Sequence, residues 1–158
     1  MSTLPKSAQK VQDMLDTFDL GLQVIEMPDS TRTAQEAADA LGCTIGQIAK
    51  SLIFRGAASG SPVLIIASGA NRVNEKAVGR LIGEKLQRAD ADYAQEQTGF
   101  AIGGIPPVGH TNPITTYLDE DLLHFDVIWA AAGTPHAVFK LLPEHLKTIT
   151  NGQVICIK

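Results

Sequence analysis

Pro62-Val63-Leu64-Ile65-Ile66-Ala67-Ser68 is the stretch of sequence that decides the fold. It is a near-continuous apolar run of strand length. Such a run is typical of a strand that is buried on both faces, because a half-buried strand alternates apolar and polar residues. We therefore expect 62–68 to be a central strand of a sheet, with the rest of the chain supplying its neighbours.

Shorter patterns on both sides of this run predict further helices and strands. Thr33-Ala34-Gln35-Glu36 has the pattern of a capping box, which opens an alanine-rich helix. Pro143 is favourable at a first helical position. The predicted helices are 7–18, 33–42, 44–49, 75–82, 92–99 and 143–149. Besides 62–68, the predicted strands are 22–27, 51–55, 86–88, 114–118, 127–132, 137–141 and 154–157.

Many short strands interspersed with helices, some joined too tightly for crossovers, predict an α+β fold. We expect a mixed, largely antiparallel and curved, barrel-like sheet surrounded by helices. The chain has 158 residues, no low-complexity linker and no internal repeat, so residues 1–158 are expected to form a single domain.

Composition excludes several classes of protein. The net charge of −4 argues against broad electrostatic wrapping of nucleic acid, although a local basic patch could still grip one end of an RNA. Cys43 and Cys156 lie far apart and form no CxxC pattern, so neither a disulfide scaffold nor a metal site is expected. No signal peptide or membrane-length apolar run is visible, which makes the cytoplasm the expected location.

The segment Gly103-Gly104-Ile105-Pro106-Pro107-Val108-Gly109-His110 is the strongest candidate for chemistry. Its glycines let the main chain approach a ligand closely, and its prolines hold the shape of the loop. Free amides at Gly103, Gly104 and Ile105 would donate to a carbonyl oxygen that becomes an oxyanion. The alternative is a tight turn between strands, which glycine and proline also favour. The residues themselves leave both interpretations open.

Lys50 stands in an apolar setting between a predicted helix and a predicted strand. It either extends along its stem to solvent or faces a cleft at that junction, where it would bind a phosphate or a carbonyl. His110, directly after the Gly/Pro loop, is the first candidate for a general base, and His136 is the second. No HExxH, Gly-x-Ser-x-Gly or Walker sequence is present.

The segment from Ser68 to Lys76 follows the central strand and precedes a predicted helix. Ligands often bind where strands end and helices begin, and Arg72 and Lys76 add local positive charge. The alternative is a solvated loop with Asn74 as a helix cap. Thr31 similarly either lines the mouth of a pocket or belongs to the cap of the alanine-rich helix that follows it.

Together these segments resemble the YbaK/prolyl-tRNA-synthetase-associated domain family of trans-acting aminoacyl-tRNA editing proteins. The resemblance covers nearly the whole chain, and the lysine followed by the Gly/Pro loop is its most specific part. It is carried by Thr31-Arg32-Thr33 with the following helix, Gly46 to Leu52, Ser68 to Lys76, Gly103 to His110, Ala132-Gly133 and Leu142-Pro143-Glu144.

The resemblance implies a partly rolled mixed sheet with surrounding helices, and roles for particular residues. Lys50 matches the family lysine that holds the aminoacyl or terminal phosphate end. Gly103 through Pro107, with Gly104 and Ile105 between them, match the Gly-x-x-x-Pro loop that binds the carbonyl by its backbone. Arg72 and Lys76 are expected to contact tRNA. The expected substrate-binding residues are Thr31, Ser68, Gly69, Asn74, His110, Gly133 and His136.

The implied function is hydrolysis of the ester of a mischarged tRNA, without a metal or another cofactor. The expected partner is the 3′ acceptor end of an aminoacyl-tRNA, above all a proline tRNA carrying Cys, Ala, Ser or Thr, with an aminoacyl-tRNA synthetase as a further candidate. Asn74 stands where many relatives carry an acidic residue, so the resemblance does not identify the amino acid that the protein removes from tRNA. Two alternatives remain: a non-catalytic tRNA- or synthetase-binding module, and a small-molecule hydrolase with His110 as its base.

Overall fold

The computed structural model describes residues 4–158, which form one eight-stranded sheet and five α-helices. The helices are α1 (Lys6–Asp16), α2 (Ala34–Leu41), α3 (Glu75–Ile82), α4 (Ala91–Thr98) and α5 (Pro143–Thr150). The strands are β1 (Val24–Glu26), β2 (Ile48–Gly56), β3 (Pro62–Ser68), β4 (Leu86–Arg88), β5 (Thr115–Asp119), β6 (Ile128–Ala131), β7 (Ala137–Leu141) and β8 (Gln153–Ile155). Short 3-10 turns occupy Ile45–Gln47 and Glu120–His124.

The predicted central strand is confirmed as β3. It pairs with β2 on one edge and with β5 on the other. Leu64 and Ile66 pack into the main core on one face of the sheet, while Ile65 and Ala67 pack into a second core on the opposite face. All four side chains are fully buried, which explains why this strand lacks an alternating pattern.

The sheet is mixed, and the strand order is β1-β7-β6-β2-β3-β5-β8, with β4 also paired to β2. Four of its seven strand pairings are antiparallel, and the pairs β2–β6, β3–β5 and β5–β8 are parallel. The α+β prediction is therefore confirmed. The barrel-like description fits only loosely, because β5 and β8 lie on the far side of β3 from β1 and no pairing joins the two outer strands.

The predicted helix over 44–49 is wrong. Only Ile45–Gln47 turns, and Ile48 and Ala49 begin β2 because they pair with β6, while Ala49 also pairs with β3. Lys50 consequently lies inside a strand and not at a junction between a helix and a strand. Tertiary pairing has here overridden the local helical signal.

The starts of α2 and α4 are set by capping side chains. The capping box before α2 is confirmed: the amide of Glu36 donates to Thr33 Oγ1 at 3.1 Å, and the amide of Thr33 donates to Glu36 Oε1 at 3.3 Å. Helix α4 begins earlier than predicted, because Asp90, and not Asp92, accepts from the amide of Tyr93 at 2.8 Å.

One edge of β2 is left partly open. The edge facing β3 is paired along 49–55. The other edge pairs with β6 at Ile48 and Ala49, and with β4 only from Phe54 to Gly56. Residues 50–53 therefore run past a gap between β6 and β4.

None of the helices in residues 4–158 has the length and apolar character needed to cross a membrane.

Candidate active site

Two cavities meet at the open edge of β2. They share a wall made of Lys50, Ser51, Leu52, Ile102 and Ile105. The smaller one, of about 270 Å³, is called here the Trp129 cavity, and its further lining includes Thr31, Ala34, Ile48, Gly103, Trp129 and Val138. The larger one, of about 620 Å³, is called the Arg72 cavity, and its further lining includes Phe54, Gly69, Asn71, Arg72, Arg88 and Ala94.

Lys50 is the cation on the shared wall, and it is half-buried. Burial lowers the pKa of Lys50 below that of an ordinary lysine, and the nearby positive charge of Arg72 lowers it further. The carboxylate of Asp119 opposes these effects in part. A partly desolvated ammonium interacts more strongly with an oxygen ligand than a solvated one does, because water screens it less.

Two of the three amides that were expected to be free in the Gly/Pro loop have no hydrogen-bond partner in the part of the chain that the structure describes. Neither Gly103 nor Ile105 donates its amide to another group among residues 4–158. The amide of Gly104, however, donates to the carbonyl of Ala101 at 3.1 Å, so it is not free as the sequence led us to expect. The carbonyl of Gly104 accepts from the amide of Gly133 at 2.9 Å. Gly104 therefore holds the loop, while Gly103 and Ile105 can donate to a ligand.

Close packing explains why glycine occupies both positions. Gly103 has φ +98, a left-handed conformation that side chains disfavour, and a Cβ there would lie 2.5 Å from Arg32 Cγ. A Cβ on Gly104 would lie 2.9–3.0 Å from the main chain of Thr134. The aliphatic stem of Arg32 thus crosses Gly103 at the rim of the Trp129 cavity.

Thr31 supports the same cavity from its other side. Its amide and its hydroxyl both donate to the carbonyl of Pro135, at 2.6 and 3.0 Å, and the residue is buried. The segment before α2 is thereby tied to the turn between β6 and β7. Thr31 lines the cavity, but its hydroxyl already donates its hydrogen to the carbonyl of Pro135.

His110 lies behind the Gly/Pro loop and lines neither cavity. Its Nε2 is 2.7 Å from the carbonyl oxygen of Pro106, and it shares a surface depression with Met14 and Phe18. Burial lowers the pKa of His110, an effect that its contact with Pro106 opposes. This geometry supports a role in bracing the loop and places the imidazole away from Lys50.

Asp119 organises the loop after β3, and sequence reasoning missed it. This buried carboxylate accepts from the amide of Ser68 at 3.0 Å, from Asn71 Nδ2 at 2.8 Å and from the amide of Asp121 at 3.0 Å. The hydroxyl of Ser68 donates to the carbonyl of Gly46 at 2.7 Å. Ser68 is thus used in holding the loop and lines neither cavity, whereas Gly69 lines the Arg72 cavity.

The remaining predicted residues are scattered around this centre. Asn74 caps α3 by accepting from the amide of Ala77 at 3.1 Å, and with Lys76 it borders a separate depression of about 960 Å³ between α3 and β4. Gly133 lies behind the loop, and exposed His136 has Nδ1 3.2 Å from the carbonyl of Asp29. Neither cavity is lined by Ser68, Asn74, Lys76, Gly104, Pro107, His110, Gly133 or His136.

The structure thus brings together the lysine and the loop that the sequence singled out. The linings of the two adjoining cavities include Lys50, Thr31, Gly103, Ile105 and Arg72. Ser51 and Trp129 are among the lining residues that sequence reasoning did not assign to the site. The only signal for Ser51 was its position next to Lys50, and for Trp129 its place in a predicted strand. Among residues 4–158, no three His, Cys, Asp or Glu side chains are grouped as a metal ion would require.

A model of the aminoacyl-tRNA editing domain family matches residues 28–149, and the chain belongs to this family. The uncharacterised protein YwhH of Bacillus subtilis is 32% identical over 131 residues, which are 83% of each chain. EbsC of Enterococcus faecalis, named as a candidate Cys-tRNA(Pro)/Cys-tRNA(Cys) deacylase, is 30% identical over 77% of this chain and 74% of its own.

A solved structure has the same fold throughout. It is described as that of a candidate trans-editing enzyme for prolyl tRNA synthetase, and it is 48% identical, covers 99% of both chains and has a TM-score of 0.92. The fold and the family are therefore those of aminoacyl-tRNA editing proteins related to prolyl-tRNA synthetase, and deacylation is the activity of the family.

The lowered pKa of Lys50 generates a first prediction. In an NMR titration of lysine side chains, Lys50 should lose its proton below the ordinary lysine value of about 10.4. Arg72→Ala should move this titration to higher pH, because the positive charge of Arg72 disfavours the ammonium. Lys76→Ala, outside both cavities, is the matched control. An unchanged or lower pKa of Lys50 in Arg72→Ala would contradict the electrostatic account.

Buried His110 generates a second prediction. Its pKa is lowered in the folded state, so the unfolded chain binds the proton more readily. The free energy of unfolding should therefore be unaffected above the ordinary histidine value of about 6.5 and fall as the pH decreases below it. His110→Gln, which stays neutral, should flatten this dependence relative to that of the wild-type protein. Urea unfolding at a series of pH values on both sides of the ordinary histidine pKa measures this dependence. If the free energy of unfolding falls with decreasing pH as steeply in His110→Gln as in the wild type, the prediction is wrong.

Proposed function

We propose that this chain hydrolyses the ester that joins a wrong, small amino acid to tRNA, and that the tRNA is a proline tRNA. The observation that carries the proposal is the placement of Lys50 and the free amides of Gly103 and Ile105 around two cavities that meet at one wall. Membership in the editing family supports the same chemistry.

The amides of Gly103 and Ile105 would bind the carbonyl oxygen of the ester. When water adds to the carbonyl carbon, this oxygen becomes negatively charged, and one preorganised donor in such a place contributes about 3 kcal/mol to the transition state. The bond to the ribose oxygen then breaks, and a proton passes to that oxygen. An ester is an activated bond, so orientation and oxyanion stabilisation suffice without a covalent intermediate on the protein.

The two cavities suit the two halves of the substrate. The Trp129 cavity, at about 270 Å³, is lined mainly by apolar and small side chains such as Ala34 and Val138, and it would take the side chain of the amino acid. The larger Arg72 cavity would take the terminal nucleotide, with Lys50 on the shared wall holding its phosphate or the aminoacyl end. Arg72, together with Lys76 on α3, would contact tRNA phosphates beyond it.

Selectivity would come from the size and shape of the Trp129 cavity. A methylene group is worth only about 1–3 kcal/mol in a pocket of this kind, so cysteine, alanine, serine and threonine are all candidates. Proline would be excluded by its shape. Cysteine could also leave by attack of its own thiol on the ester. We place this activity in the cytoplasm, with a synthetase as a further partner.

The experiment that tests the proposal incubates the protein with proline tRNA charged in turn with Cys, Ala, Ser and Thr. At least one of these esters should be cleaved faster than in buffer. If none is cleaved while the tRNA still binds, the chain is a non-catalytic binding module. His110 lies outside both cavities, so a near-normal rate in His110→Ala would exclude the alternative in which His110 is the general base.

Lys50→Ala gives the third prediction. Removing a charged hydrogen-bond donor should lower kcat/KM for the preferred aminoacyl-tRNA by about 10- to 100-fold. Lys147→Ala removes an exposed lysine from α5, outside both cavities, and should leave the rate unchanged. Deacylation by Lys50→Ala at the wild-type rate would show that the role assigned to Lys50 is wrong.

A further inference from the structure

The hydroxyl of Ser51 is buried and has no hydrogen-bond partner among residues 4–158. Buried polar side chains in folded proteins are nearly always paired, because leaving one unpaired is costly. Ser51 stands next to Lys50 on the wall that the two cavities share. An unpaired hydroxyl at this place is accounted for if a ligand supplies the missing partner.

The main chain at Ser51 also faces the gap. The carbonyl of Ile48 accepts from the amide of Gly69 at 2.7 Å, so the main-chain groups of Ile48 point toward β3. These groups alternate in direction along a strand. Those of Ser51 and Ile53 therefore point to the opposite edge, where residues 50–53 have no neighbouring strand. The carbonyl of Ser51 is thus a further acceptor beside the Ser51 hydroxyl, whereas that of Ile53 faces the end of β4.

The side chain of Ser51 points away from that of Lys50, because successive side chains of a strand lie on opposite faces. Ala49 and Ile53, which alternate with Ser51, pack into the core that contains Ile105, whereas Leu52 packs into the core of the other face. The Ser51 hydroxyl therefore lies on the face of β2 opposite to the side chain of Lys50 and on the same face as Ile105.

We infer that Ser51 binds the α-ammonium group of the aminoacyl ester. The inference rests on the proposed function, since that substrate carries an ammonium one carbon away from the carbonyl that Gly103 and Ile105 would bind. The ammonium donates its N–H groups to the Ser51 hydroxyl and to the main-chain carbonyl of Ser51. Because the hydroxyl is buried in the free protein, its contact with the ammonium requires a local opening at the wall that the two cavities share.

This arrangement has a consequence for the free protein. Ser51→Ala removes a buried polar atom that has no partner, so the variant should be at least as stable as the wild type. It should nevertheless be a poorer enzyme. A structural serine would behave in the opposite way, because its removal would cost stability. Thermal unfolding of the two proteins therefore separates a binding role from a structural role and checks that the variant folds.

The deciding experiment compares two esters of the same proline tRNA. One carries the amino acid that the wild-type protein cleaves fastest, and the other carries the corresponding 2-hydroxy acid, in which a hydroxyl replaces the ammonium. Ser51→Ala should lower kcat/KM for the aminoacyl ester about tenfold more than for the hydroxyacyl ester. Ser51→Thr keeps the hydroxyl and should keep the preference for the amine. Ser61→Ala, at an exposed position between β2 and β3, is the matched control.

Each outcome decides the matter. A selective loss with the aminoacyl ester, together with an undiminished Tm, supports the inference. An equal loss with both esters, or no loss, overturns it while leaving deacylation by this chain intact. If the wild-type protein cleaves no aminoacyl-tRNA, the proposed function fails, and this inference fails with it.

Discussion

The site depends on the open edge of β2. This strand leaves β6 after Ala49 and meets β4 only at Phe54, so no strand within residues 4–158 pairs with residues 50–53 on that side. Main-chain groups inside a protein need partners, and a gap in a sheet must therefore be covered by something else. In this fold both cavities lie at this gap, and Ile105 of the Gly/Pro loop borders both of them together with residues 50–52.

Hydrogen bonds at Gly104 and a contact of His110 hold the loop whose residues Gly103 and Ile105 line the cavities. Gly104 is bonded to Ala101 and Gly133, and His110 contacts the carbonyl of Pro106. These contacts leave the amides of Gly103 and Ile105 without partners in residues 4–158. Donors that are already in place need little reorganisation when charge develops on a bound oxygen, which is the source of their catalytic value.

The sequence predicted the elements with strong local signals and missed those that depend on distant contacts. The apolar run at 62–68 and the capping box at Thr33 predicted their elements correctly because burial and capping leave a local pattern. The segment at Ile48 became a strand because β6, far along the chain, pairs with it. Asp119 and Ser51 could not be found for the same reason, since a buried carboxylate and an unpaired hydroxyl are defined by their surroundings.

The central claim is that the amides of Gly103 and Ile105 bind the carbonyl of an aminoacyl ester beside Lys50. The most direct test is an NMR titration of the amide-labelled protein with a 3′-aminoacylamino analogue of adenosine, in which an amide replaces the labile ester. The amide signals of Gly103 and Ile105 should move strongly, and that of Gly104, which donates to Ala101, should move little. Unchanged signals for Gly103 and Ile105 at saturating analogue would contradict the account.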